Sequence, residues 1–137
     1  MLVSEGSETI LGLDLAVIDL LTGKCDMLKA NAAPTFILRD GNVYEIGSAS
    51  LPIGIFEEVN IKENKCMLVD GDVIVMLSDG LLSGGSKWIN EYIKVLAGNT
   101  PDSFAISNGL MTEAVKRNMV LNDDLTVITA VVNMSNV

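Results

Sequence analysis

The chain has 137 residues, 49% of them hydrophobic, which is enough to form the core of one ordinary domain. Its 9 Lys and Arg against 18 Asp and Glu give a formal charge of -9, which repels a phosphate backbone and sets nucleic acid aside as a ligand. Histidine is absent, which excludes Ser-His-Asp and Cys-His catalysis and His-ligated zinc, so hydrolytic chemistry here would fall to carboxylates or to a metal-bound water.

Strands dominate the first half of the chain. Ile10 to Leu20 alternates, with Leu13, Leu15 and Val17 on one face and Ala16, Ile18 and Leu20 on the other, which predicts a strand covered on both faces. Thr22-Gly23-Lys24 reads as a turn, Cys25 to Ala30 and Thr35 to Arg39 as strands, and Asp40-Gly41-Asn42 as a tight turn before a strand from Val43 to Ile46. Leu51-Pro52-Ile53-Gly54-Ile55 is an irregular apolar segment. Val59 to Leu68 predicts a strand, Asp70-Gly71 a second hairpin turn, and Val73 to Ser78 a fully buried strand. Helical spacing starts later, with Trp88, Ile89, Tyr92, Val95 and Leu96 on one face of a helix over 87–96. Thr100-Pro101-Asp102 supplies the cap and first-turn proline of a second helix running to about Arg117. Leu125 to Val132 closes as a strand. No repeat or linker interrupts this order, so the reading is one α+β domain of mixed sheet with helices packed on it.

No apolar run reaches the ~20 residues of a membrane helix, and Met1-Leu2-Val3-Ser4-Glu5 lacks the basic start of a secretory signal. A soluble, cytoplasmic piece without membrane contact is expected. Cys25 and Cys66 belong to no CxxC pair; two free thiols are expected, and spacing alone leaves a disulfide between them open.

The chemistry concentrates in two acidic clusters. Val73 to Leu77 runs straight into Ser78-Asp79-Gly80-Leu81, and Asn122-Asp123-Asp124-Leu125-Thr126 opens the last apolar run. Carboxylates at the end of one buried strand and the start of another can meet at one sheet edge, which is how oxygen-rich metal sites are often built. The other Asp-Gly pairs lie between short strands and are assigned to turns. Gly80 to Lys87 lacks the Gly-Lys-Ser/Thr of a nucleotide loop. Asp14 and Asp19 are assigned to a sheet end or an exposed face, with support of the metal site as the alternative.

These two clusters resemble the C-terminal metal motifs of the PPM family, the metal-dependent serine/threonine protein phosphatases. Leu13 to Asp19, Leu28 to Arg39 (with Ala32-Ala33 replacing the Asn-Ala-Gly pattern that a histidine follows in stress-response relatives) and Leu51 to Ile55 resemble its bacterial stage II sporulation protein E branch most closely. The resemblance implies an alpha-beta-beta-alpha sandwich holding two Mn2+ or Mg2+ ions, with Asp79 and Asp123 as metal ligands and catalytic residues, Asp124 as a ligand of second rank, and Gly80 bringing backbone close to the metal. It implies hydrolysis of phosphoserine or phosphothreonine on an anti-anti-sigma factor-like protein that controls a sporulation sigma factor, in a parent anchored to a membrane with this domain on its cytoplasmic side.

The family's early acidic strand and upstream Asp-Gly motif have no counterpart here. Residues 1–137 therefore read as a single partial domain, the C-terminal two thirds, with half of the metal ligands and weak or no activity alone. Sheet edges left open by the absent strands predict self-association into a homo-oligomer. The competing reading is a non-catalytic protein-interaction module of the same fold.

Overall fold

The computed structural model describes residues 3–4, 7–8, 12–47, 62–121 and 123–134. The chain forms two compact units, one of residues 1–33 and 47–68, the other of residues 34–46 and 69–137. The expected segment 51–55 and the first residues of the strand read over 59–68 lie outside the described residues.

The first unit carries a short hairpin, β1 (Val3–Ser4) with β2 (Ser7–Glu8), in a stretch the sequence reading passed over as a lead-in. Beyond it lies an antiparallel sheet of β3 (Leu13–Ile18), β4 (Lys24–Ala30) and β7 (Lys62–Met67), in the order β3-β4-β7. The turn between β3 and β4 is closed by the Asp19 carboxylate, which accepts from the backbone N–H of Leu21 (2.8 Å) and Thr22 (3.2 Å). Those two donors hold the Asp19 carboxyl below its ordinary pKa. This is a sheet-end role.

Alternation along β4 places Cys25, Met27 and Lys29 on the buried face of the sheet. A fully buried ammonium is costly unless it is paired. Lys29 Nζ donates to Asp14 Oδ1 at 2.7 Å and to the Ala33 carbonyl at 2.9 Å. Asp14, one rung from the end of the β3–β4 ladder, is thus the half-buried partner of a buried lysine rather than a residue of an exposed face. The expectation that β3 is covered on both faces is also corrected. Leu15 and Val17 are 41% and 55% exposed, because their face of the sheet is shared with Asp26, Glu63 and Lys65, charged groups that keep it in water.

The second unit is built on an antiparallel sheet of β5 (Thr35–Arg39), β6 (Asn42–Ile46), β8 (Val73–Leu77) and β9 (Val127–Val131), ordered β6-β5-β8-β9. The central strands β5 and β8 bury nearly every side chain, as their unbroken apolar runs require, while edge strands β6 and β9 alternate. The Asp40-Gly41 turn joins β5 to β6 with both residues at positive φ (50° and 76°), as a two-residue hairpin of the observed twist demands. Asp70-Gly71 does not close a hairpin, contrary to the sequence reading. It links β7 of one sheet to β8 of the other, and is tied to the chain after β9 by Gly71 N–H to Val132 O (2.8 Å) and Met134 N–H to Asp70 Oδ1 (2.7 Å).

Helices α1 (Lys87–Ala97) and α2 (Ser103–Lys116) pack on each other, α1 against β5 and β6 and α2 against β9. They bury Trp88, Ile89, Ile93 and Ala97 from α1, and Ile106, Leu110 and Ala114 from α2. Close approach depends on Gly109, where any Cβ would collide with the Leu96 side chain. The cap of α2 is Asp102 rather than Thr100: its Oδ1 accepts the Ala105 N–H at 2.9 Å, so Pro101 precedes the helix instead of opening its first turn. No helix among the described residues is long and apolar enough to cross a membrane.

Candidate metal centre and family

Both acidic clusters belong to the second unit and adjoin the paired ends of β8 and β9. Leu77 pairs with Val127 as the last rung of that ladder, and Ser78 extends the pairing. Its N–H donates to the Thr126 carbonyl (2.9 Å), its Oγ accepts from the Thr126 N–H (2.9 Å), and the same hydroxyl lies 3.3 Å from the Asp124 carbonyl oxygen, to which it donates. One serine thereby fixes both loops. The sequence places Ser78 at a strand end and inside the Ser-Asp-Gly cluster without assigning it this bridging role; a small hydroxyl directly before Asp-Gly was the available signal.

Beyond Ser78 the chain enters a 3-10 turn, Asp79–Leu82. Leu81 is buried and points the turn inward, and its carbonyl accepts the Trp88 indole N–H at 3.2 Å. Trp88 is itself held edge-to-face by Tyr92, with ring centroids 5.8 Å apart, and by the Arg117 guanidinium 4.8 Å from its ring centre. Arg117 also pairs with Glu113, whose carboxyl is held low first by the Tyr92 hydroxyl and then by Arg117, while the Tyr92 phenol is pushed up by the same carboxylate. The exposed Asp79 carboxylate therefore stands on a turn that a buried leucine and a packed tryptophan keep in place.

Gly80 brings the two clusters into contact. A Cβ built there would lie 2.8 Å from Leu125 Cδ2, 3.2 Å from Asp123 Cβ and 3.2 Å from the Asp124 carbonyl oxygen. The Asp79-Gly80 backbone is thus pressed against Asp123-Asp124, and a larger residue at 80 would have to displace the Leu125 side chain. Asp123 and Asp124 are exposed, and Asp123 Oδ1 accepts the N–H of Asp124 at 2.8 Å.

The donors that meet here are carboxylate and carbonyl oxygens, the ligand type of hard divalent cations. They suit Mn2+ or Mg2+ in kind, but among the described residues no group of three or more Asp, Glu, Cys or His gathers around one point, so Asp79, Asp123 and Asp124 are not brought together as a three-carboxylate cluster. Asp14, the alternative supporting residue, belongs to the first unit and is engaged by Lys29.

Comparison with known proteins agrees with this architecture. A profile of the stage II sporulation protein E (SpoIIE) family matches residues 4–133. Stage II sporulation protein E of Bacillus subtilis (strain 168) is 34% identical over 123 residues, covering 85% of this chain and 15% of that protein. The solved phosphatase domain of SpoIIE from Bacillus subtilis, presoaked with Mn, is similar at a TM-score of 0.75 and 29% identity, over 91% of this chain and 58% of that one. The structure of its PP2C phosphatase domain with a fragment of the regulatory domain aligns at a TM-score of 0.78 and 32% identity, over 90% of this chain and 39% of that one. The chain spans under a sixth of the length of this curated relative and somewhat over half of the Mn-presoaked phosphatase-domain structure. By profile, relatives and fold together, the chain belongs to the stage II sporulation protein E family, with the α+β fold of the PP2C (PPM) protein serine/threonine phosphatases, a family in which metal dependence is general.

Proposed function

We propose that residues 1–137 are a single partial phosphatase domain in which Asp79 and Asp123 are catalytic metal ligands and Asp124 a ligand of second rank. The observation that carries this reading is the contact at Gly80: a strand end and a strand start, 43 residues apart in the chain, pack so closely that a Cβ at Gly80 would lie 3.2 Å from Asp123 Cβ and from the Asp124 carbonyl oxygen. Family membership supports the rest. A bound pair of Mn2+ or Mg2+ ions supplies charge neutralisation for a phosphoryl group and lowers the pKa of water to make a nucleophile. This chain's own residues orient and hold: Ser78 locks the two loops, Leu81 and Trp88 fix the turn, and Gly80 lets the two loops approach closely.

The substrate proposed is a phosphoserine or phosphothreonine on an anti-anti-sigma factor-like protein, with control of a sporulation sigma factor as the outcome. With two or three carboxylates too few to hold two ions, manganese-dependent phosphopeptide hydrolysis by the isolated 137 residues is expected to be weak or absent. Robust turnover by the isolated chain would refute the half-site. Weak Mn2+ binding, read by calorimetry, should persist and should be lost in Asp79→Asn and in Asp123→Asn; unchanged binding in both variants would remove the metal role.

One observation favours the second reading, a non-catalytic interaction module. Edge strands β6 and β9 present Tyr44 and Ile128 at 53% and 58% exposure, and an open edge invites strand pairing with a partner or another copy. If this is the role, both Asp→Asn variants retain partner binding and Mn2+ is irrelevant to it.

A further inference from the structure

Cys25 and Cys66 face each other directly across the antiparallel ladder of β4 and β7, flanked by the pairs Lys24 with Met67 and Asp26 with Lys65. Directly opposed residues in such a ladder have Cα atoms roughly 4.5–5.5 Å apart, inside the span a disulfide bridges without backbone movement. Both cysteines are free thiols. Over these three rungs lies a cavity of about 460 Å3 lined by Lys24, Cys25, Asp26, Lys65, Cys66 and Met67.

We propose that Cys25 and Cys66 form a redox site, in which a small peroxide oxidises the pair reversibly to a cross-strand disulfide. Cys66, half-buried on the cavity, is the thiol that reacts first, because Cys25 is 1% exposed and its thiol is pushed up to about 12 by burial first and by its neighbour second. The Cys66 sulfur attacks one peroxide oxygen; the O–O bond breaks, water leaves, and Cys66 becomes a sulfenic acid. The Cys25 sulfur then attacks the Cys66 sulfur, the S–O bond breaks, and a second water leaves. In sum two thiols lose two electrons and two protons, and one peroxide becomes two waters. Alignment by the strand register offsets the poor nucleophilicity of the protonated Cys25. The product is uncharged, so it suits a buried position better than a thiolate does.

The test uses the folded, reduced 137-residue chain titrated with hydrogen peroxide. Expected are the loss of both titratable thiols at one equivalent of peroxide, a linked Cys25 and Cys66 peptide in a non-reducing map, full return with dithiothreitol, and a higher denaturant midpoint for the oxidised form. In Cys25→Ser the reaction should stop at a Cys66 sulfenic acid that dimedone traps; in Cys66→Ser, Cys25 should stay a thiol. Persistence of both thiols in the wild-type chain under excess peroxide would overturn the proposal. So would dimers linked through Cys66, or over-oxidised Cys66 beside an intact Cys25 thiol. The wild-type map decides even if either variant misfolds.

Discussion

At the scale of single residues, the proposed site depends on two residues that are not themselves acidic. Gly80 is held by space rather than by backbone conformation, so Gly80→Ala pushes its methyl into Leu125 and the Asp124 carbonyl. The expected cost is about 1–3 kcal/mol of stability, with weaker Mn2+ binding, read from urea unfolding and calorimetric titration. Ser78→Ala removes the hydroxyl that bridges both loops and should cost about 1–2 kcal/mol. Deeper in the second unit, Asp72 is buried at 1% exposure. It accepts from Arg39 Nε (2.8 Å) and Nη2 (2.5 Å) and from the Val69 N–H (2.9 Å). Asp72→Ala removes the acceptor of the Arg39 and Val69 N–H bonds, and a loss of about 1–3 kcal/mol is expected in the same unfolding assay.

Cys25 adds a pH dependence whose sign follows from its burial. Its thiol titrates at about 12 when folded against an ordinary 9.0, so above pH 9 the unfolded chain releases a proton that the folded chain retains. Its contribution to stability is complete below pH 9.0 and is lost progressively as the pH climbs toward 12. Unfolding midpoints of the reduced protein measured across that window should fall more steeply than those of Cys25→Ala.

At the scale of elements, most of the strands and both helices were legible from periodicity. Val73 to Leu77 and Thr35 to Arg39 are continuous apolar runs because central strands are buried on two faces, and the structure places both in the middle of their sheet. The helix caps were harder. Thr100, Pro101 and Asp102 all carry initiation signals, and only the backbone path selects Asp102, which reaches the Ala105 N–H. Asp102→Ala should therefore lower stability by about 1 kcal/mol while Thr100→Ala leaves the unfolding midpoint unchanged. Asp70-Gly71 misled for a related reason: a dipeptide encodes its turn angles but not which strands flank it in space, and β7 and β8 pair in different sheets.

At the scale of the molecule, edge strands β6 and β9 of the second sheet, each with one strand neighbour among the described residues, predict concentration-dependent association. Size-exclusion chromatography across a hundredfold dilution series would show it, and a constant monomer volume would count against it. A charge on the exposed side of the edge, as in Ile128→Lys, should shift the series toward monomer without altering the fold.

Composition and local pattern by themselves determined the class of this protein: an α+β chain with no histidine, a strongly acidic balance and two Asp-rich segments adjoining apolar runs. They could do so because strand and helix periods, turn angles and ligand types are properties of neighbouring residues. Tertiary structure alone decided that Gly80 lies against Asp123, that Asp14 neutralises a buried Lys29, and that Cys25 faces Cys66. Each of those pairs joins residues distant in the chain. Their meeting depends on strand register and on which face is buried, and a one-residue slip in either would part them.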